Sequence, residues 1–412
     1  MSLEMWRNHL LNARWFQAKG MEVELVGLEP LEWEILGADC SVRSELLKIR
    51  AGGAAEVYQL LVAYMPPGSV PPELAVGRVD VPGLGQREAV EATDYLPALD
   101  CYFEALRESV AWRGLVPPRA EPKVFTGEQS NTNIRYGDVM LKLFRRISKE
   151  PSVEIELLGA LNLSFVPTLR GILENPARPG LQLGMFIDYI PDSTDGWTWA
   201  TEACKAGEPI GDDLRGLGAM LAKLHRVMAR LYGKREIPAT QISAQMLAHL
   251  DKAVGQVPKL AELEASLAKR LQALGEGPVE VQRIHGDFHL GQVLRSPAGW
   301  TIIDFEGEPL KTPAQRRAFD SRWRDVAGLT RSIDYARFFH PDAQGSDGWY
   351  EQAREGFLAG YGLKGTSPAL LYAYETDKAI YELVYETRNR PTWARIPWQA
   401  VEKAGTNEVG DK

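Results

Sequence analysis

The chain has 412 residues, of which 45% are hydrophobic and 25% are charged, and its formal net charge is −8. These values are typical of a globular protein with about two or three domains. Surfaces that bind nucleic acid or anionic membranes are basic, so the acidic balance and the lack of a basic stripe argue against both kinds of partner.

The N-terminal sequence MSLEMWRNHLLNARWFQAKG lacks the unbroken apolar segment of a signal peptide. No stretch approaches the roughly 18 consecutive apolar residues that a membrane-spanning helix needs. The three cysteines, Cys40, Cys101 and Cys204, are widely spaced and odd in number, which predicts neither a disulfide framework nor a cysteine metal site. We therefore expect a cytoplasmic protein.

The first 90 residues predict a small α+β segment. A helix is expected over residues 3–13, and strand-like runs follow at 22–28, 44–49 and 56–64. The turn clusters AGGAA and MPPGSVPP separate and end these runs. A further helix fits residues 94–112 and ends at the sequence VPPR.

A β-hairpin is predicted over residues 125–144, with the polar turn GEQSNTN at its tip. Its second strand carries Lys142 between apolar neighbours, which is typical of an edge-strand charge or of a lysine whose stem is buried. The next predicted helix, over 153–161, contributes Glu154 and Glu156. A strand lysine followed by a helix glutamate is also the arrangement that holds nucleotide phosphates in kinases.

The most informative stretch is IHGDFHLGQVL, residues 284–294, followed by TIIDFEGEP, residues 301–309. Asp287 and Asp304 each follow a short apolar run and begin a polar turn. Such a carboxylate pair suits metal-dependent phosphoryl transfer, in which one carboxylate accepts the proton of the attacking hydroxyl and the other holds Mg²⁺. The alternative is a hairpin whose polar residues only cap turns, and an upstream ATP-binding lobe distinguishes the two.

The run LGMFIDYIPDSTDGW, residues 183–197, predicts a buried strand that ends in a connector. In a kinase with two lobes this is the position of the hinge, and the backbone of Asp188, Tyr189 and Ile190 would face the adenine. The sequence then divides into an N-terminal cap over 1–90, a nucleotide-binding lobe over 91–189 and a helical catalytic and acceptor-binding lobe over 190–412.

Two amphipathic helices are predicted beyond the hinge. Apolar residues recur every three or four positions from Leu214 to Leu231, which indicates a core-facing helix. His225 lies on this helix, and we interpret it as a structural residue. The second amphipathic helix is expected over residues 258–274.

A stripe of polar aromatic and basic side chains follows one face of the predicted C-terminal helix. Its members are Tyr374, Lys378, Tyr381, Tyr385 and Arg388, flanked by the acidic residues Asp377, Glu382 and Glu386. Buried tyrosine hydroxyls need partners, whereas tyrosine rings and carboxylates together suit a sugar. The alternative is a surface helix with half-buried tyrosines. Arg390 and Trp393 follow the helix and would close such a sugar site.

Seven segments together resemble a known family. They are RWFQAKG, GEQSNTNI, LKLFRR, HGDFHLGQVLRS, IDFEGEP, RDVAGLTRSIDYA and YETDKAIYELVYETRNRP. The chain is similar in these segments to the aminoglycoside-phosphotransferase-like kinases, and among them most similar to the bacterial maltokinases. The resemblance covers most of the chain and implies an α+β, bilobal protein-kinase-like fold that uses ATP and Mg²⁺.

The resemblance also implies roles for single residues. Asp287 would be the catalytic aspartate, and Lys142 the phosphate-binding lysine with Glu156 as its partner. Asp304 would be the principal Mg²⁺ ligand, with Gln292 in the position of a metal-binding asparagine. Glu306 is a candidate second acid at the metal, and a structural salt bridge is an equal alternative for it.

Further contacts follow from the same resemblance. The loop 128–133 lacks GxGxxG, so its contacts with the phosphates would come from side chains, namely those of Gln129, Ser130, Asn131 and Thr132. His289 would orient the catalytic loop or meet the acceptor, and Arg324 and Asp325 would brace the metal loop as an ion pair. The implied acceptor contacts are His289, Lys378, Tyr381, Glu382, Tyr385, Arg388 and Trp393.

The expected activity is ATP-dependent phosphorylation of maltose at its anomeric hydroxyl, giving maltose 1-phosphate. One alternative is another acceptor on the same fold, such as glucosamine or an aminoglycoside. The mixture of Lys378, Arg388 and Arg390 with acids favours a neutral sugar over these cations. A second alternative is a non-catalytic docking partner of a trehalose or glycogen enzyme, and association with trehalose synthase is also compatible with an active kinase.

Overall fold

The protein is described by a computed structural model that covers residues 3–16, 18–108, 112–114, 119–125, 130–175, 177–308, 311–363 and 369–406. Two compact units are present. The first comprises residues 1–159 and 167–190, and the second comprises 160–166 and 191–412. The division of the first unit into a cap over 1–90 and a nucleotide-binding lobe over 91–189 remains a prediction.

The first unit contains two antiparallel sheets. Strands β1 to β5 form one sheet in the order β1-β2-β3-β5-β4, and strands β6 to β11 form the other in the order β6-β10-β11-β9-β8-β7. The elements are α1 (Glu4–Asn12), β1 (Val23–Leu36), β2 (Ser41–Ala51), β3 (Ala54–Met65), β4 (Ala75–Val81), β5 (Gly85–Glu91), α2 (Leu96–Glu108), β6 (Trp112–Gly114), β7 (Pro122–Val124), β8 (Thr132–Tyr136), β9 (Val139–Leu143), α3 (Val153–Ala160), β10 (Leu169–Glu174) and β11 (Gln182–Asp188).

The AGGA turn between β2 and β3 shows how the sequence sets the sheet register. Gly52 and Gly53 both have positive φ, +52° and +83°. Two-residue hairpin turns whose twist matches the strands require positive φ at both central positions, which glycine adopts without strain. Strands β2 and β3 therefore pair without a break from Ala51 opposite Ala54 to Ser41 opposite Tyr64.

Helix α2 packs against side chains of both sheets. One buried cluster includes Leu46 and Leu61 from the first sheet, Leu141 and Phe186 from the second, and Phe103 from α2. The ring of Phe103 stacks on a neighbouring tyrosine of β8 with centroids 4.1 Å apart. The predicted helix over 94–112 is present as α2 over Leu96–Glu108, whereas Asp94 lies in a 3₁₀ turn and Trp112 begins β6. The apolar face of α2 fills the core of the unit.

A fully buried arginine, Arg145, connects the segments of the first unit. Its guanidinium donates to Glu91 at 3.1 Å, to Thr132 at 2.7 Å and to Thr93 at 2.8 Å. The same group lies 4.6 Å above the ring of Trp15. A buried charge is tolerated only when it is paired and hydrogen-bonded, and this network supplies both conditions. The LKLFRR and RWFQAKG segments therefore meet in one structural cluster.

The second unit is mainly helical and has two small sheets, β12-β15-β16 and β13-β14. Its elements are β12 (Thr194–Asp195), α4 (Gly196–Ala206), α5 (Gly211–Tyr232), β13 (Lys234–Pro238), α6 (Ala239–Val254), α7 (Glu264–Gln272), β14 (Pro278–Gln282), β15 (Val293–Ser296), β16 (Gly299–Ile302), α8 (Pro313–Arg317), α9 (Trp323–Ala336), α10 (Ala343–Tyr361), α11 (Ala369–Asn389) and α12 (Arg395–Thr406).

Helices α5 and α10 approach each other closely along a strip of glycines. A Cβ atom at Gly218 would collide with the backbone of Phe357, and one at Gly356 would collide with the backbone of Gly211. Gly360 has the same constraint against Arg215. Only the absence of side chains permits this separation, because real Cβ contacts are longer.

The predicted helix periodicity is largely confirmed in α5, where Leu214, Leu217, Leu221, Leu224 and Met228 are buried. Leu231 is an exception: it is 47% exposed, because it lies in the last turn of the helix. The helix predicted over 258–274 is divided at Leu263 into a 3₁₀ turn and α7. Within the described residues, no helix is both long and apolar enough to cross a bilayer.

Candidate active site

The loop that contains Asp287 is held by a fully buried carboxylate on α9. Asp325 accepts hydrogen bonds from the backbone N–H groups of His285 and Gly286, both at 2.8 Å. Its Oδ2 also lies 3.0 Å from Nε2 of His225. Burial alone would raise the pKa of Asp325, but the hydrogen bond with His225 and the nearby imidazoles outweigh it, and the pKa is lowered. The loop is thus anchored on an ionised group.

His225 is a buried structural residue, as interpreted from the sequence. Its Nδ1 lies 2.8 Å from the hydroxyl of Tyr361 on α10, and its Nε2 faces Asp325. The expected ion pair between Arg324 and Asp325 does not form. Successive residues point about 100° apart on a helix, and Arg324 instead pairs with Asp320 at 2.5 Å.

Asp287 presents a partly exposed carboxylate beside Lys378. Its side chain is 17% exposed, and Oδ1 lies 3.9 Å from Nζ of Lys378. The backbone N–H of Asp287 donates to Nδ1 of His285 at 3.4 Å, while Nε2 of that imidazole bonds the carbonyl of Ile303 at 2.9 Å. His285 therefore links the catalytic loop to the chain that leads into Asp304.

The segment around Asp304 has the donor chemistry of a magnesium site. Asp304 has φ +62°, in the left-handed region, and its carboxylate oxygen lies within 4.8 Å of one from Glu306. Ile303 donates its N–H to the carbonyl of Gln292 at 3.0 Å, so Gln292 lies beside the strand end. Carboxylate and amide oxygens fit a hard cation such as Mg²⁺. The metal roles of these three side chains remain predictions.

A cavity of about 380 Å³ opens next to Asp287. This volume falls within the range of about 300–1,000 Å³ that is usual for small-molecule sites. Its walls come from the catalytic loop, the segment after Asp304 and helices α6, α9 and α11. They are formed by His249, Lys252, Ala253, Gln256, Gly286, Asp287, Phe288, Glu308, Lys311, Arg324, Gly328, Tyr374, Asp377, Lys378, Ile380, Tyr381, Val384 and Arg388.

Three of the predicted acceptor residues line the cavity, namely Lys378, Tyr381 and Arg388. Tyr374 and Asp377, from the same predicted stripe and its flank, line it as well. The hydroxyl of Tyr374 donates to Asp320 at 2.9 Å. The spacing of the stripe thus placed one face of α11 on the cavity.

The other predicted acceptor residues have different surroundings. Glu382 accepts two hydrogen bonds from Arg331, at 2.7 and 3.0 Å. Tyr385 is 45% exposed and is not among the described residues that line the cavity. Trp393 packs against the ring of Tyr335.

His289 was predicted either to orient the catalytic loop or to meet the acceptor, and its described hydrogen bond lies within the loop. Its Nδ1 accepts the N–H of Gly291 at 3.0 Å and caps the turn Leu290–Gln292. Burial lowers the pKa of His289, which favours a neutral imidazole at this cap. The structure therefore places this side chain in loop geometry and outside the described cavity lining.

Basic side chains outnumber acidic ones in the cavity. The cationic residues are Lys252, Lys311, Arg324, Lys378 and Arg388, and the acidic residues are Asp287, Glu308 and Asp377. Burial alone would lower the pKa of Lys378, but Asp287 and other carboxylates outweigh it and raise the pKa. Lys378 is thus charged at neutral pH. Among the described residues, Lys252 and Arg388 have no carboxylate partner in an ion pair.

The α6 wall was not predicted from the sequence. His249 pairs with Asp377 across the cavity at 2.9 Å, and Lys252, Ala253 and Gln256 complete this side. The sequence of α6 gave little indication of this wall, because polar residues at helical spacing usually indicate a solvated helix face. Tertiary packing of α6 on α11 brings them to the site.

In the first unit, Lys142 lies in the middle of β9 and is buried. Its Nζ lies 2.6 Å from Oε2 of Glu154, so the sequence-based choice of Glu156 as partner is corrected. Helix α3 begins at Val153, and two residues correspond to about 200° around a helix. Glu154 is therefore buried beside the strand, while Glu156 is half-buried.

The predicted phosphate loop is described only in part. Gln129 lies outside the described residues, and Ser130 is half-buried. The side-chain oxygen of Asn131 accepts the backbone N–H of Arg145 at 3.3 Å, and the hydroxyl of Thr132 accepts from the guanidinium of Arg145. Asn131 and Thr132 therefore anchor the base of the loop, and their contacts with ATP remain predictions.

The predicted adenine-facing backbone is engaged in other hydrogen bonds. Asp188 donates its N–H to Thr168 at 3.1 Å, and Tyr189 donates its N–H to Asp138 at 2.9 Å. The carboxylate of Asp188 pairs with Arg170 at 2.5 Å. Adenine recognition at 188–190 would therefore depend on carbonyl groups or on Ile190, and it remains a prediction.

Residues 123–315 match the family model described as the phosphotransferase enzyme family. This segment includes Lys142, the loop with Asp287 and the turn with Asp304. The match spans slightly less than half of the chain. In kinases, phosphoryl transfer to an alcohol uses a strand lysine, a loop aspartate and a second aspartate that holds the metal.

Curated relatives extend the similarity beyond that segment. A glucosamine kinase of Streptacidiphilus jiangxiensis is 28% identical over 329 residues, which cover 70% of this chain and 74% of that protein. A glucosamine kinase of Mycolicibacterium smegmatis (strain ATCC 700084 / mc(2)155) is 28% identical over 314 residues, which cover 66% and 76%.

A solved structure confirms the fold. The structure described as "Glucosamine kinase in complex with glucosamine, ADP and inorganic phosphate" has a TM-score of 0.62 and is 22% identical. The match covers 97% of this chain and 98% of that one. The predicted α+β, protein-kinase-like fold is therefore confirmed.

Proposed function

We propose that this protein transfers the γ-phosphoryl group of ATP to a hydroxyl group of a neutral sugar, with maltose as the first candidate acceptor and maltose 1-phosphate as the product. The observation that supports this most directly is the position of Asp287. Its carboxylate borders a cavity of about 380 Å³ that also presents the ring of Tyr381 and the hydrogen-bonding groups of α11 and α6.

The chemistry asks for positioning and electrostatics more than for covalent catalysis. Asp287 would orient the acceptor hydroxyl and accept its proton as the bond to phosphorus forms. Lys142, ion-paired with Glu154, would hold phosphate oxygens of ATP. Mg²⁺, held by Asp304 with Gln292 and Glu306, would supply charge neutralisation at the phosphates.

The charge of the cavity supports a neutral acceptor. Lys378 is charged and lies 3.9 Å from Asp287, so part of the negative potential at the catalytic carboxylate is already compensated. Lys252 and Arg388 add further positive charge to the walls. An ammonium substituent on the acceptor would meet like charges, which cost free energy in a partly desolvated site.

Glucosamine is the second candidate acceptor, because both curated relatives described above are named glucosamine kinase. Its amino group would need a carboxylate partner, and Asp377 or Glu308 are the acids of the cavity wall available for that. Asp377 already pairs with His249, and Glu308 lies 3.2 Å from Lys311. Because both acids already have a basic partner, we rank glucosamine below a neutral sugar as the acceptor.

ADP release during incubation with Mg-ATP and maltose, glucose, glucosamine or kanamycin tests the proposal. We expect the highest kcat/KM with maltose, and phosphate on its anomeric carbon by NMR. A higher kcat/KM with glucosamine would show that the proposed acceptor is wrong and that the proposed kinase activity is right. No sugar-dependent ADP release, with ATP bound, would instead favour the non-catalytic alternative. The association with trehalose synthase remains a prediction that co-elution of the purified proteins would test.

A further inference from the structure

The second unit contains another cavity, of about 400 Å³, which shares no lining residue with the acceptor cavity. Three arginines border it: Arg226 and Arg230 from α5 and Arg322 from the start of α9. Lys234 from β13 and Glu280 from its partner strand β14 form another side.

The concavity follows from residue sizes along α5. Ala222, Arg226, Ala229 and Arg230 lie on one side of the helix, because each is three or four positions from another member of the group. The two alanines leave space between α5 and the β13-β14 sheet, and the two arginines border that space. The site is therefore a pocket rather than a flat basic surface.

The charge of this pocket is uncompensated. Lys234 pairs with Glu280, so these two cancel. Within the part of the chain that the structure describes, no carboxylate pairs with Arg226, Arg230 or Arg322. Guanidinium groups present planar, forked donors whose geometry matches phosphate oxygens. Three of them around one pocket leave a net positive site on a chain whose net charge is −8.

We propose that this pocket binds a small phosphate monoester, such as a hexose phosphate. Its volume is in the range of small-molecule sites, which fits a single phosphorylated metabolite. A nucleic acid would require an extended basic surface, and the overall negative charge opposes a long polyanion. Inorganic phosphate shares the same chemistry and is the other possible source of the anion.

The pocket is connected to the catalytic loop by short hydrogen bonds. Tyr361, which lines the pocket, bonds His225 at 2.8 Å, and His225 bonds Asp325 at 3.0 Å. Asp325 in turn holds the loop that carries Asp287. Arg322 lies 5.9 Å from the ring of Tyr361 and directly precedes the helix of Asp325. An anion that moves Arg322 therefore acts on the support of the catalytic loop, and we expect occupancy to change kcat.

Calorimetry of the full chain tests the proposal. The active site is first saturated with Mg²⁺ and a non-hydrolysable ATP analogue, and glucose 6-phosphate or inorganic phosphate is then titrated. We expect Arg226→Gln/Arg230→Gln to weaken the binding of the tighter ligand by at least about tenfold, since each lost charged hydrogen bond contributes about 1.5 kcal/mol or more.

The double variant Arg215→Gln/Lys223→Gln is the matched control, because it removes two exposed charges from the same helix outside the pocket. This control variant is expected to bind the ligand as tightly as the wild type does. The single variant Arg322→Gln is expected to weaken binding of the same ligand. Tighter binding of glucose 6-phosphate than of phosphate supports a sugar phosphate, and equal binding supports free phosphate. No binding by the wild type, or equal losses in both double variants, would overturn the site.

Discussion

Two of the walls of the acceptor cavity are built in different ways. The loop wall, Gly286 to Phe288, is positioned through backbone N–H groups that donate to the fully buried Asp325. The helix wall on α11 presents long side chains, among them Lys378 and Tyr381, from an otherwise regular helix. The first wall is fixed by main-chain geometry, whereas the second is defined by the side chains themselves.

This difference separates the chemical step from the choice of acceptor. Changes at the loop wall or its support should lower kcat for every acceptor, because they displace the proton acceptor. Changes on the helix wall should alter KM and the ranking of acceptors, since the loop stays in place. Each of the following predictions tests that separation.

The largest effect is expected for Asp287→Asn. The substitution removes the proton acceptor, so kcat should fall by about 10² to 10⁴, the usual contribution of a general base. ATP affinity and thermal unfolding should change little, and calorimetry and circular dichroism would measure them. Turnover near that of the wild type would remove Asp287 from the mechanism.

Asp325→Asn should have the next largest effect. An amide cannot accept all three hydrogen bonds with the same geometry, and a displacement of about 1 Å at the loop can reduce kcat by about 10²-fold. Leaving a buried donor unsatisfied should also lower the free energy of unfolding by about 1–3 kcal/mol. Arg388→Gln, on the helix wall, is the contrasting control, with an expected change in KM. If Asp325→Asn changed KM as much as Arg388→Gln does and left kcat unchanged, Asp325 would not position the catalytic loop.

Lys378→Met should change the ranking of acceptors. It keeps the apolar stem but removes the charge beside Asp287, which should favour a cationic sugar by about 1 kcal/mol, or roughly fivefold. The measurement is the ratio of kcat/KM for glucosamine to that for maltose. If both acceptors lost activity in equal proportion, the charge of Lys378 would not select the acceptor.

Tyr381→Ala and Tyr385→Ala form a matched pair on α11. Tyr381 lines the cavity and Tyr385 does not, although the stripe in the sequence includes both. Loss of an aromatic contact costs about 0.5–1.5 kcal/mol, so Tyr381→Ala should raise the KM for the sugar several-fold. Tyr385→Ala should leave it within about twofold of the wild type. Equal effects on steady-state KM would indicate that the sugar extends beyond the described cavity.

The smallest effect concerns the pH dependence of the pair formed by His249 and Asp377. The hydrogen bond with Asp377 raises the pKa of His249 above its ordinary value of 6.5. The contribution to stability is therefore fully present below pH 6.5 and is lost as the pH rises through the folded-state pKa. Chemical denaturation should show a larger difference between the wild type and His249→Gln at pH 6 than at pH 9. A difference that grows with pH would contradict this pairing.

Local patterns in the sequence were sufficient for much of the fold and for part of the site. The hairpin with Lys142 and the turns with Asp287 and Asp304 depend on turn residues and on apolar runs that stand next to each other in the chain. Helical spacing placed Lys378, Tyr381 and Arg388 on one face, and the structure brings that face to the cavity.

The remaining features depend on packing between distant segments. Helix α3 is apolar almost all round, so its sequence did not indicate whether Glu154 or Glu156 faces Lys142. His249 and Lys252 have the pattern of a solvated helix until α6 packs on α11. Asp325 is one of two aspartates in an amphipathic helix, and only the fold shows that two loop N–H groups donate to it.

The glycines between α5 and α10 are positions where a substitution should disturb the catalytic loop without contacting it. Gly218, Gly356 and Gly360 set the spacing of two helices, and that spacing keeps Tyr361 within hydrogen-bonding distance of His225. A methyl group at any of the three would separate the helices. In a library of random variants, we therefore expect inactive clones to carry substitutions at these three glycines, although none of them lines the described acceptor cavity. A map of tolerated substitutions should show all three positions as intolerant.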